Sequence, residues 1–264
     1  MSVPFIEAPS PNFDARKAVP DTVILHYTGM ETGEAAIERL RDPEAKVSAH
    51  YCVEEDGRIF RLVAEERRAW HAGAAFWKGV KDINSASIGI EIVNAGFVDT
   101  PAGRVYAPFP QAQVDEVVAL VRDIQQRHNV RPERIIGHAD IAPGRKQDPG
   151  PSFPWKQLAD AGLIPWPDAN LLLVKRLEHE VAPRDVAWLQ ERLSRIGYNV
   201  SRSGQMDVLT KEVVATFQMK YRPRDISGTV DAETAARIDV ASTPTAMRVA
   251  GATEGETRPY TSRW

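Results

Sequence analysis

The chain predicts an α/β fold: a mixed central β-sheet flanked by helices and followed by a small three-helix bundle. Three observations carry that prediction. Short, β-branched apolar runs alternate with amphipathic helical stretches over the first part of the chain, the pattern of strands and helices layered on one another. The runs are apolar throughout instead of alternating with polar residues, as expected of strands buried in the middle of a sheet. After a proline-rich break near residue 165, helical stripes continue with no further strand signal.

Residues 1–20 hold prolines at 4, 9, 11 and 20 and read as an extended arm. The first buried strand is Thr22–His26, followed by a helix from Thr32 to Leu40 that Asp42-Pro43 ends. Asp56-Gly57 between two short β-type runs signals a hairpin. A second buried strand covers Ser87–Val93 and carries a charged Glu91 inside an apolar run, where a carboxylate is rare unless paired or functional. Residues 111–128 form an amphipathic helix, with Val114, Val117, Val118, Val121 and Ile124 on one face, and Arg134–Gly137 is a third strand. The division that results is an arm over 1–20, an α/β domain over 21–166, a linker over 167–182, a three-helix domain over 183–240 and a flexible tail over 241–264. In the three-helix part, Asp207 is the expected cap of the second helix and Asp231 opens the third.

Thirty-three basic against 36 acidic residues give a net charge of -3, which offers no cationic field for a polyanion, so nucleic acid is not expected as a partner. A single cysteine, Cys52, excludes an intramolecular disulfide and Cys-rich zinc modules. No apolar stretch approaches the ~20 residues that would span a bilayer. The N-terminal residues lack the basic and apolar regions of a secretory signal, so a cytoplasmic location is expected, with a periplasmic or extracellular one as the alternative if a leader was removed.

Two histidines stand at strand ends, His26 and His138, and both can project from one sheet edge. Asp148 follows in a turning Pro- and Gly-containing loop. Two imidazoles and a carboxylate make the ligand set of a catalytic zinc, which keeps a fourth position open and makes water acidic enough to attack near neutral pH. Such a site needs a proton carrier, for which Glu91 is the candidate, and a positive partner for an oxyanion, for which Lys146 is the candidate. Each residue also has an ordinary reading: a structural histidine, a solvated loop lysine, or a Glu91 that pairs with an arginine such as Arg134. A zinc protease is the less favoured reading, because no HExxH helix is present.

Five ordered blocks go further: VILHYT at 23–28, VSAHYCVEEDG at 47–57, RAWHAG at 68–73, NSASIGIEIVN at 84–94 and GHADIAPGRKQDPG at 137–150. Through them residues 22–158 resemble the zinc-dependent N-acetylmuramoyl-L-alanine amidases of the peptidoglycan-recognition-protein-like fold. The resemblance implies that His26, His138 and Asp148 bind Zn2+, that Glu91 is the catalytic acid or base, and that Lys146 stabilises the oxyanion. It places Tyr27, His50, Trp70, His71, Asn84 and Arg145 in blocks that line the substrate groove. Recognition-only members of the fold lose a zinc ligand, and animal and phage members commonly have Cys where this chain has Asp148, so the intact set points to bacterial enzymes acting on muropeptides. The bond cut would join N-acetylmuramic acid to L-alanine. Soluble 1,6-anhydromuropeptides of cell-wall recycling are the expected substrates, with polymeric peptidoglycan, or non-catalytic binding, as alternatives. Residues 183–240 resemble the three-helix peptidoglycan-binding domain, through VAWLQERLSRIGYNV, SGQMDVLTKEVVATFQ and GTVDAETAARI, with a bundle that braces the first domain or closes one side of its groove as the alternative to glycan binding.

Overall fold

The computed structural model describes residues 3–251. In chain order the elements are β1 (Ile6–Glu7), β2 (Phe13–Ala15), β3 (Thr22–Tyr27), α1 (Gly33–Arg41), β4 (Tyr51–Val53), β5 (Ile59–Arg61), β6 (Arg67–Ala69), α2 (Ile83–Ala86) and β7 (Ser87–Ile92). A hairpin of β8 (Phe97–Thr100) and β9 (Gly103–Tyr106) precedes α3 (Gln111–His128), β10 (Ile135–Gly137), α4 (His138–Ile141), α5 (Trp155–Asp160) and β11 (Trp166–Pro167). Helices α6 (Ala169–Val181), α7 (Val186–Ile196), α8 (Val208–Tyr221) and α9 (Ala232–Ala241) follow, then β12 (Met247–Arg248).

Six strands form the main sheet in the order β1-β5-β4-β7-β3-β10. β10, β3, β7 and β4 run parallel, and β5 turns back antiparallel on β4, which makes the sheet mixed. β3 is an interior strand, between β7 and β10, and five of its six residues are buried, which explains its unbroken apolar character. Alternate residues point to opposite faces. Val23 and Leu25 join Ile88, Ile90 and Ile92 of β7 against Val117, Val121 and Ile124 of α3 in one core. Ile24 and Ile136 point the other way, into a second core with Leu193, Val213, Phe217 and Ile238 of the C-terminal helices. The register of β3 on β7 sets Ile24 beside Gly89 and His26 beside Glu91. Both charge-bearing residues therefore emerge on the second face, near the carboxyl ends of parallel strands.

The segment before β3 carries two short strands, and both are paired. β1 joins the sheet beside β5, and β2 pairs antiparallel with β6. Asn12 donates to the carbonyls of Asp42 and Val47, and Arg16 donates to those of Glu65 and Ser85. The segment expected as a linker, 167–182, holds α6, a 13-residue helix capped by Asp168. Its apolar residues Leu173, Val174, Leu177 and Val181 face outward, so no core-facing stripe marks it in the sequence. Of the tail expected from 241 onward, Ala241 ends α9 and β12 pairs with β11. Positions 252–264 lie outside the described residues. Among the described residues no helix is long and apolar enough to cross a membrane.

One polar cluster ties the end of α3 to the sheet. Glu65 accepts hydrogen bonds from Tyr51 at 2.8 Å and from His128 at 2.6 Å, and it is paired with Arg127. Burial alone would raise the Glu65 carboxyl, but the hydrogen bonds from Arg127, His128 and Tyr51 outweigh it and hold the group down to about 2. A carboxyl depressed on folding contributes stability above its unfolded value of about 4.3, and that contribution is lost as pH falls through the folded value. Glu65→Gln should therefore cost on the order of 1–3 kcal/mol at pH 7. The gap between wild type and variant in denaturant midpoint should close between about pH 4 and pH 2; a gap independent of pH would refute the assignment.

Candidate metal centre and groove

Three side chains converge where the parallel strands end. His26 ends the buried part of β3, His138 opens α4 directly after β10, and Asp148 comes from the loop between α4 and α5. His26 Nδ1 lies 2.9 Å from His138 Nδ1, and Asp148 Oδ2 lies 3.0 Å from the first and 2.9 Å from the second. All three residues are buried. Donor atoms on a tetrahedral ion with ~2.0–2.1 Å bonds stand roughly 3.3 Å apart, so the observed triangle is within a few tenths of an ångström of one face of such an ion. Burial, and next the neighbouring His138, pushes His26 down to about 4, which leaves the imidazole neutral as a metal ligand must be. His138 Nε2 is 3.1 Å from the carbonyl of Ala72, a group that can only accept, so its proton is on Nε2 and Nδ1 offers a lone pair. The donor set therefore fits a divalent cation.

Glu91 is half-buried, and its Oε2 is shut off from solvent with no hydrogen-bond partner. Burial, with Asp148 nearby, raises its carboxyl well above the usual range, while Lys146 acts in the opposite sense. The arginine pairing open to it in the sequence is not made: Arg134 reaches Asp21 and Thr22 instead, both at 3.3 Å. A carboxyl that is buried, unpaired and beside a candidate metal triangle is placed for proton transfer.

A groove of about 450 Å³ opens over these residues. Of the six residues expected to line it, Tyr27, Trp70, His71 and Arg145 do so, as does Lys146. Trp70 donates its indole N–H to Asp14 at 2.8 Å, and Arg145 donates to the carbonyls of Ala72 and Ala74. His50 and Asn84 do not line it. His50 is fully buried and accepts the Gly89 N–H on Nδ1, and Asn84 accepts the N–H groups of His71 and Ala72 on Oδ1. Both hold backbone, a use that a motif alone does not distinguish from contact with substrate. The sequence reading missed Arg39 of α1 and Phe97 of the β8–β9 hairpin, which complete the walls. Phe97 lies under the Arg104 guanidinium, 3.7 Å from its ring centre, and Arg104 also reaches Gln147 at 2.9 Å. Only the position of that hairpin, directly after the Glu91 strand, could have pointed to it.

Residues 16–151 match the family described as N-acetylmuramoyl-L-alanine amidase, and residues 183–238 match the family described as putative peptidoglycan binding domain. The chain is 40% identical over 227 residues to the N-acetylmuramoyl-L-alanine amidase AmiD of Escherichia coli K12, an alignment covering 81% of this chain and 79% of that one. It is 33% identical over 166 residues to the 1,6-anhydro-N-acetylmuramyl-L-alanine amidase AmpD of the same organism, over 56% of this chain and 86% of AmpD. Among solved structures, the complex of E. coli AmiD with anhydro-N-acetylmuramic acid-L-Ala-D-gamma-Glu-L-Lys superposes with a TM-score of 0.75 at 37% identity, over 86% of this chain and 90% of that one. AmpDh3 from Pseudomonas aeruginosa in complex with anhydromuramic pentapeptide gives a TM-score of 0.78 at 34% identity, over 84% and 91%.

Proposed function

Since this chain belongs to the N-acetylmuramoyl-L-alanine amidase family, we propose that it hydrolyses the amide between 1,6-anhydro-N-acetylmuramic acid and L-alanine in muropeptides released during cell-wall turnover. The single observation that carries this reading is the complete buried triangle of His26, His138 and Asp148 with Glu91 as a cross-strand neighbour of His26. A protein that only bound peptidoglycan would have no use for an unpaired carboxyl at such a triangle.

In this reading His26, His138 and Asp148 hold zinc, which when bound supplies Lewis acidity at the scissile amide. Glu91 takes a proton from the attacking water and passes it to the leaving amide nitrogen, the role for which its raised affinity for protons suits it. Lys146, on the same loop as Asp148, faces the oxygen that becomes negative as the carbonyl carbon turns tetrahedral. Arg39 and Arg145 give the groove a cationic wall that suits the free carboxylates of a stem peptide. Residues 183–240 form the proposed second domain, matching the peptidoglycan-binding family over most of that span.

The test is to incubate the zinc-loaded protein with anhydro-N-acetylmuramyl-tripeptide, beside a chelator-treated control, and to identify products by mass spectrometry. Release of free anhydro sugar and intact L-alanyl peptide, abolished by chelation and restored by zinc, is the expected result. Absence of release would refute it. Running insoluble sacculi in parallel separates the two settings: preferred cleavage of the soluble fragment fits recycling in the cytoplasm, and preferred cleavage of the polymer fits a periplasmic or extracellular enzyme.

A further inference from the structure

We propose that His71, expected from its motif to touch substrate, is instead a positioning residue that fixes which ring nitrogen of His26 faces the metal. A chain of hydrogen bonds runs inward from α2. Ser87 Oγ is 2.6 Å from the Ile83 carbonyl, a contact in which only the hydroxyl can donate, so its proton is committed there. The same oxygen lies 3.2 Å from His71 Nε2 and must accept from it, which puts the His71 proton on Nε2 and leaves a lone pair on Nδ1. That lone pair is 3.0 Å from His26 Nε2, so His26 donates through Nε2, and its Nδ1 is bare where it meets His138 and Asp148. The relay is directional from end to end, and a metal ligand gains both orientation and basicity from an outer partner of this kind.

Two further features single out this arrangement. The outer partners of the two histidine ligands are consecutive residues, the His71 ring for His26 and the Ala72 carbonyl for His138, and Asn84 Oδ1 holds both backbone N–H groups, at 3.0 and 2.8 Å. One short segment thus aims both imidazoles. Beneath the His71 ring, β7 carries Gly89, where an added Cβ would stand 2.5 Å from His71 Cγ. A glycine in the interior of a strand weakens it unless something must approach closely, and here the approaching group is the imidazole.

The inference rests on the reading of His26, His138 and Asp148 as zinc ligands, and zinc affinity of the full chain, measured by competition with a chromophoric chelator, tests the two separately. His71→Leu is expected to weaken zinc binding by about 10–100-fold with far-UV circular dichroism unchanged, and to alter the visible spectrum of the cobalt-substituted protein. His71→Asn, whose Oδ1 can take the place of Nδ1 as acceptor, should recover most of the affinity. Wild-type affinity and cobalt spectrum in His71→Leu would overturn the proposal. Should His71→Leu fail to fold, Ser87→Ala decides: a several-fold loss of affinity supports the relay and none overturns it. A wild-type chain that binds no zinc would sink the metal reading alone. Nitrogen-15 NMR of the metal-free protein would then still decide the relay, with His26 protonated on Nε2 as the expected state and on Nδ1 as the overturning one.

Discussion

Glu91→Gln is expected to lower turnover of an anhydromuropeptide by about 10²–10⁴-fold while zinc remains bound. Glutamine has the same shape and fills the same place on β7 beside His26, so the sheet and the metal triangle are undisturbed. What it removes is the ability to take up and release a proton. Glu91 Oε2 has no hydrogen-bond partner to lose, so a folding defect is not an expected source of the loss. His138→Ala provides the contrast, since it deletes one corner of the triangle and should lose the metal, as elemental analysis would show, along with the activity. Activity within a few-fold of wild type in Glu91→Gln would end the acid–base assignment; full zinc content in His138→Ala would remove it from the ligand set.

Deleting everything after residue 182 should leave a chain that does not fold stably. The second face of the sheet is covered in part by the C-terminal helices. Ile24, Trp77, Ile83, Ile136 and Ile141 are each at most 3% exposed, and they share one core with Leu189, Leu193, Val213, Val214 and Phe217. Uncovering five such side chains at ~1.5–3 kcal/mol each costs on the order of 10 kcal/mol, comparable to the ~5–15 kcal/mol by which a domain is stable at all. Polar ties would go as well. Tyr198 donates to Asp140 Oδ1 at 2.5 Å, on the four-residue helix that His138 begins, and buried Lys220 lies 4.2 Å from the Trp155 ring centre. The expected product is aggregated or molten, read by loss of a cooperative denaturation transition. A soluble 1–182 fragment that unfolds cooperatively and binds zinc would show that the helical part is dispensable to the catalytic fold.

That dependence between the two parts was one of two readings the sequence left open, and the cause is physical. The stripes on α7 and α8 announce that each helix buries a face, but not what the face meets; Phe217 reads the same whether it packs within a bundle or against Ile24. Elements with strong local signals were legible. β3 and β7 are apolar because both their faces are covered, and α3 shows one stripe because one face is. α6 was missed because its exposed leucines and valines break the relation between apolarity and burial on which that reading depends. In the site, the convergence of His26, His138 and Asp148 was legible through the strand ends and the family blocks together, and Glu91 through a charge set in an apolar run. The division of labour among the other residues was not. His50, His71 and Asn84 stand in the same kind of motif as Trp70, yet their hydrogen bonds to Gly89, His26 and the 71–72 backbone exist only once the sheet has closed.

The pairing of β3 with β7 places His26, a proposed metal ligand, and Glu91, the proposed proton carrier, at the same rung of adjacent parallel strands. Side chains on a strand alternate faces, so a slip of β3 by a single residue would turn His26 toward α3 and bring a hydrophobic neighbour to the rung beside Glu91. Such a chain could remain compact and rich in β-structure, and spectroscopy of secondary structure would not distinguish it. Zinc uptake and turnover would. Enzymatic assay of a refolded or redesigned version of this protein is therefore also a measurement of topology, because its active site can be assembled only by one alignment of β3 with β7.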